Sequence, residues 1–173
     1  MSKIWDITKK RIRNVFDGHQ GIIHSLDFST DGRLIVSGSR DETVRIWDRV
    51  DGTSKVLIIN DHNSSAGITS VAISPNGQYV AAGSIDAVVR VWDVSTGQLV
   101  EKLRGHRKSV HSVAFTLDGK GLVSGSLDNT LKFWDFSGMA AVAKRKWDGK
   151  RDDKSSPCTM NFTGHKVHFL FTV

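Results

Sequence analysis

Cysteine is nearly absent from this chain of 173 residues: Cys158 stands alone, so no internal disulfide can form. A reducing compartment, cytosol or nucleus, fits that usage. No apolar run approaches the ~20 residues that a bilayer-spanning helix needs. The opening "MSKIWDITKKRIR" carries no apolar core after its charges and does not read as a secretory signal. Neither Cys-x-x-Cys nor His-x-x-x-His spacing occurs, which removes the usual grounds for a zinc site. No segment keeps an i, i+3, i+4 apolar stripe over ten residues, so long amphipathic helices are excluded as well.

What is present is an ordinary globular composition, 39% hydrophobic and 24% charged, sized for one domain. The formal net charge of +6 permits contact with acidic partners without showing it. Two basic clusters, Lys9 to Arg13 and Lys144 to Arg151, read as solvated charge rather than as a nucleic-acid platform.

The dominant signal is internal repetition. "SGSRDETVRIWDR" (Ser37 to Arg49) returns as "AGSIDAVVRVWDV" (Ala82 to Val94) and as "SGSLDNTLKFWDF" (Ser124 to Phe136). The Trp-Asp tryptophans, Trp5, Trp47, Trp92 and Trp134, are spaced 42, 45 and 42 residues apart. Gly-His pairs begin at Gly18, Gly105 and Gly164, with the variant Asp61-His62 between the first two. Each period holds four short strand patterns, first "IIHSLDF", "RLIVSGS", "TVRIWD" and "SKVLII". Gly-containing turns at Thr30, Pro75 and Leu117 join the first and second strands, and turns at Asp51 and Ser95 join the third and fourth. The fold class is all-β.

Four strands per period of about 40–45 residues, with Gly-His and Trp-Asp, resemble the WD-repeat β-propeller family over nearly the whole chain. The blades then run over 18–60, 61–104 and 105–162, the last with an insert at 137–157. Residues 1–17 make a half blade and 163–173 a broken start of another. Propellers of this family close with about seven blades, so three form an open arc with uncovered blade faces. Self-association through those open ends is expected.

A polar set recurs in register: His19, Ser37, Asp41 and Trp47, then His106, Ser124, Asp128 and Trp134. A catalytic site is normally unique in a chain, so a set copied once per blade argues for framework. The family resemblance implies that these side chains hydrogen-bond across a blade, where each buried polar group finds a partner. In the middle repeat Ala82 replaces the serine while His62, Asp86 and Trp92 remain, which predicts a weaker network there. The basic series Lys3, Arg45, Arg90 and Lys132, two before each Trp, reads as solvated charge around the rim. No cofactor or metal is expected.

The same resemblance implies a docking face at the start of each first strand and just before each turn Asp. Those positions are Ile22, His24 and Arg40; Gly67, Thr69 and Ile85; Ser109, His111 and Leu127. The bland alternative is that they are ordinary surface residues beside loops. "YVAAGSIDAVVRVWD" and "GLVSGSLDNTLKFWD" further resemble the propeller of fungal Tup-type general transcriptional corepressors, relatives of Groucho. That resemblance implies a nuclear protein docked by DNA-binding repressors, acting with a helical-repeat partner and histones, and reading no DNA sequence itself. Two departures stand beside it: the chain opens inside a blade at "KIWD", and after "TGHK" it ends "VHFLFTV". The alternative is another WD-repeat scaffold, cytoplasmic or nuclear, such as a ubiquitin-ligase substrate receptor or an RNA-processing subunit. An enzyme would need a polar set unique to one blade, and none is found.

Overall fold

Runs of β-branched and aliphatic residues cut by glycine turns leave the backbone little choice but short strands joined by hairpins. Gly32, Gly77 and Gly119, each at φ between 66° and 69°, take the left-handed position of the three equivalent first turns. The computed structural model describes residues 2–59, 67–137 and 158–163. It opens with a two-stranded sheet, β1 (Ser2–Asp6) and β2 (Arg11–Phe16).

Three four-stranded antiparallel sheets follow, each with its strands in chain order. Blade one comprises β3 (Ile23–Phe28), β4 (Leu34–Ser39), β5 (Thr43–Asp48) and β6 (Ser54–Ile58). Blade two comprises β7 (Ile68–Ile73), β8 (Tyr79–Ser84), β9 (Val89–Asp93) and β10 (Leu99–Leu103). Blade three comprises β11 (Val110–Phe115), β12 (Gly121–Ser126), β13 (Thr130–Asp135) and β14 (Cys158–Thr163). These are the blades of an open propeller arc.

The core lies between blades, because each sheet is apolar on both faces. Val36, Val44, Ile46 and Leu57 of blade one pack against Ile68, Val71, Ile73 and Trp92 of blade two. Ala81, Val89, Val91 and Leu103 then meet Val110, Val113, Leu122 and Trp134. Burying each large aliphatic side chain contributes about 1.5–3 kcal/mol. Polar ties align the stack: the Val71 and Val113 N–H groups donate to Ser25 and Ser70 Oγ, both at 3.1 Å, and Ile73 N–H donates to Asp27 at 2.7 Å.

The central glycine of each "SGS" or "AGS" governs how closely blades approach. A Cβ on Gly38 would stand 2.4 Å from Ile68 Cγ2, and one on Gly83 would stand 2.7 Å from Val110 Cγ1. Among the described residues, a Cβ on Gly125, in the same register of blade three, would meet Leu131 Cδ2 at 3.3 Å and Ser112 Cβ at 3.8 Å.

Exposure marks the open ends. Val71 and Ile73 are 5% and 7% exposed beneath blade one, whereas their blade-one counterparts Leu26 and Phe28 are 51% and 53% exposed. The β1–β2 sheet covers only the outer part of that face, through Ile4 and Phe16 against Ile35 and Trp47. At the other end Phe162 is 54% exposed, where Leu57 and Leu103 in the same register are 2% and 1%.

Candidate protein-docking face

Blade one brings four of its repeated polar residues together. Trp47 Nε1–H donates to Ser37 Oγ at 2.8 Å. Since an indole nitrogen only donates, the Ser37 hydrogen is free for His19 Nε2, 2.7 Å away, which places the ring hydrogen on Nδ1. His19 Nδ1–H then donates to Asp41 at 2.9 Å. Burial alone would raise the pKa of Asp41, but bonds from the Thr43 hydroxyl, the Gln20 N–H and His19 outweigh it and hold the carboxyl well below its ordinary range. Blade three repeats the chain: Trp134 Nε1 to Ser124 Oγ, 2.8 Å; Ser124 to His106, 2.8 Å; His106 to Asp128, 3.0 Å. Burial lowers the pKa of His106, and Asp128 offsets that only in part.

This connectivity is that of a hydrolytic Ser-His-Asp triad. It is closed to a substrate nonetheless. Ser37 and Ser124 have no exposed surface, and each hydroxyl oxygen already accepts a tryptophan N–H.

Blade two solves the same problem with different residues. His62 lies outside the described residues. With Ala82 in place of the serine, Arg90 donates to Asp86 at 2.5 and 3.1 Å and to Ser84 Oγ at 2.9 Å. Burial again works to raise the pKa of Asp86, and the Arg90 and Ser84 bonds override it. Trp92 remains 2% exposed beside this pair. The expectation of a weaker network takes in His62, outside the described residues; what the described residues add to it is a buried ion pair.

The reading of the basic series as solvated rim charge is corrected. Arg90 is 2% and Lys132 8% exposed, and the Arg45 guanidinium lies 5.6 Å from the centre of the Trp47 ring. Only Lys3 is exposed. Arg45 lies over its tryptophan ring with its Nε buried and, among the described residues, unpartnered, whereas the Arg90 and Lys132 cations donate to Asp86 and Asn161. Gly18 belongs to this arrangement, because a Cβ there would stand 2.6 Å from an Arg45 terminal nitrogen. Asp-x-x-x-basic spacing occurs in all three blades and so distinguishes none of them. The one sequence signal for the ion pair was the missing hydroxyl at Ala82.

The nine docking positions lie at one end of the blades. The N–H before each turn Asp donates to the carbonyl opening the first strand: Arg40 to Ile22 at 2.8 Å, Ile85 to Gly67 at 3.0 Å, Leu127 to Ser109 at 3.0 Å. Neighbouring blades continue the line. A Cβ on Gly67 would lie 3.1 Å from Ile85 Cδ1 and 3.6 Å from the Arg40 carbonyl oxygen, and Ser109 Oγ donates to the Ile85 carbonyl at 3.0 Å. The row Ile22–Arg40–Gly67–Ile85–Ser109–Leu127 is thus continuous. Ile22, Arg40 and Ile85 are exposed, while Ser109 and Leu127 are half-buried.

His24, Thr69 and His111 each occupy the bulge of their first strand, where the register skips one residue. A bulge turns its side chain out of the sheet's alternation. His24 and His111 are exposed, whereas Thr69 donates to the carbonyls of Val110 and Gly83 and is spent on bracing.

Known proteins share these repeats. The chain is 42% identical over 64 residues to WD repeat and SOCS box-containing protein 1 of Danio rerio, covering 36% of this chain and 15% of that protein. It is 36% identical over 50 residues to small ribosomal subunit protein RACK1y of Oryza sativa, covering 29% and 15%. It is 42% identical over 45 residues to a periodic tryptophan protein 2 homolog of Schizosaccharomyces pombe, covering 26% and 5%. The chain therefore spans a small part of the curated relatives it matches. The model of the WD domain, G-beta repeat, matches residues 10–48, 53–93 and 97–135. Those segments take in more than half of the sequence, and the chain belongs to the WD domain, G-beta repeat family.

Proposed function

We propose that the chain is a non-enzymatic docking scaffold that holds protein partners on the row from Ile22 to Leu127. The observation that carries this reading is the contrast between a repeated backbone bond and the varying side chain above it. The side chain before the turn Asp is Arg40, Ile85 or Leu127 from blade to blade, and the backbone bond beneath it is the same in each. A surface that differs among otherwise copied units is where recognition can be written.

Within that reading, the wording of the repeats supports a corepressor propeller: a nuclear scaffold docked by DNA-binding repressors and acting with a helical-repeat partner and histones. The second reading, another WD-repeat scaffold with a cytoplasmic or nuclear post, draws on the likeness to a WD repeat and SOCS box-containing protein. Imaging of the tagged chain separates them in part, since exclusion from the nucleus would remove the corepressor reading.

Photo-crosslinking tests the docking face directly. A photoreactive residue replacing Ile85 is expected to give discrete protein adducts in the cells that make the chain. The same residue at Leu117, 97% exposed in a turn between first and second strands, is the control. Equal adducts at both positions, or adducts at Leu117 alone, would remove the row as the docking site.

A further inference from the structure

The row carries uncommitted charge of one sign. Its turn carboxylates are all spent: Asp41 on His19, the Gln20 N–H and Thr43; Asp86 on Arg90; Asp128 on His106, the Arg107 N–H and Thr130. Glu42, beside Asp41, is half-buried and has a partner of its own. The cations along the same line are exposed. Arg40 stands in the row itself. Arg107 and Lys108 flank its far end, since the Arg107 N–H donates to Asp128 at 2.9 Å and the Lys108 carbonyl accepts from Ser126 Oγ at 2.8 Å. Among the described residues these three side chains make no ion pair or hydrogen bond.

Between the two cationic ends lie exposed aliphatic groups. Ile22 is 61% and Ile85 45% exposed, and Gly67 offers no side chain between Arg40 and Ile85. Neither isoleucine belongs to a core cluster among the described residues.

We propose that the row takes an extended acidic peptide segment that also carries aliphatic side chains. Its carboxylates meet Arg40 at one end and Arg107 with Lys108 at the other, and its apolar side chains lie over Ile22 and Ile85. Complementary charge speeds encounter and sets register, while the apolar contacts hold the complex once formed. The inference rests on the docking reading and adds the chemistry of the partner. An aliphatic requirement separates a peptide from a phosphate backbone, which would use the cations and leave both isoleucines idle.

The test is fluorescence anisotropy on the full chain with five labelled probes. Three peptides share alternating aliphatic positions and carry Glu, Gln or Lys between them; the fourth is a Glu-Gly peptide, and the fifth a single-stranded RNA. The Glu-aliphatic probe is expected to bind at least about tenfold more tightly than every other probe, with affinity falling as salt rises. Arg40→Glu and Ile85→Asp should each weaken it about tenfold, while Arg33→Glu, at the opposite turns, should leave it unchanged. Circular dichroism of each variant confirms the fold. Equal binding of the Gln and Glu probes, sensitive to Ile85→Asp but not to Arg40→Glu, would overturn the acidic partner and keep the docking face. Equal binding of the Glu-Gly peptide or of RNA would overturn the aliphatic contacts. Binding of no probe would overturn the inference, whereas the crosslinking result at Ile85 decides the docking face separately.

Discussion

Asp86 and Arg90 show a blade braced by a buried ion pair where its neighbours use serine and threonine hydroxyls. With Ala82 where the other blades have serine and Val88 where they have threonine, the Asp86 carboxylate takes the guanidinium four residues on. Both side chains are almost wholly buried, so leaving either charge alone is costly. Asp86→Ala is expected to lower stability by about 3–5 kcal/mol, measured by chemical denaturation. A loss below ~1 kcal/mol would mean that water reaches Arg90 and replaces its partner. Blade three responds to pH through its histidine. The folded pKa of His106 lies below its unfolded value, so the unfolded chain takes up the proton first as pH falls. Stability is then full above the ordinary histidine range and declines as pH drops through it. Asp41 and Asp128, depressed when folded, extend the decline below the ordinary carboxylate range. Urea midpoints should therefore fall from neutral pH to mildly acidic pH and fall further below the carboxylate range; a midpoint that rises on acidification would refute the assignment.

At the scale of the strand and the turn, most of the structure was legible in advance. "TVRIWD" is β5 as written, and the "TDG", "PNG" and "LDG" turns fall at their glycines, because period-two patterning and positive-φ glycines are local constraints. What was not legible depends on a neighbouring sheet. Nothing in "IIHSLDF" marks His24 as the bulged residue, and nothing local to Ser25 names it as the acceptor for a Val71 N–H 46 residues away. The basic residue two before Trp reads as exposed from its charge, while its burial in blades two and three is not local to the sequence. The "SGS" glycine was likewise silent until Ile68 was seen seated against it. That contact predicts an asymmetry among identical motifs. Gly38→Ala should destabilise by about 1–3 kcal/mol, because the new Cβ drives into Ile68 and Val71. Gly125→Ala, whose new Cβ meets no contact under 3.3 Å among the described residues, should stay within about 0.5 kcal/mol of the parent. Equal costs in thermal denaturation would mean that these glycines serve the backbone rather than the approach of the next blade.

For the whole molecule, two features follow from stacking blades without closing a ring. The first is that the end faces keep their core chemistry while exposed: Leu26 and Phe28 at one end, Phe162 at the other. The isolated 173-residue chain is expected to associate, and sedimentation velocity should show species larger than one chain. Leu26→Asp combined with Phe28→Asp should shift the distribution towards the monomer; a parent chain that sediments as a single monomer would contradict this. The second feature is a division of labour. Residues repeated in every blade hold the blade, and residues that vary at its exposed end meet the partner. Melting temperature and partner recovery, measured side by side for Ser124→Ala and Ile85→Asp, test that division most directly. Ser124→Ala strands buried groups of His106 and Trp134, and should cost about 2 kcal/mol and several degrees. Ile85→Asp should melt with the parent and lose its crosslinked partners. A Ser124→Ala chain that melts like the parent yet loses its partners, beside an Ile85→Asp chain that keeps them, would contradict the account.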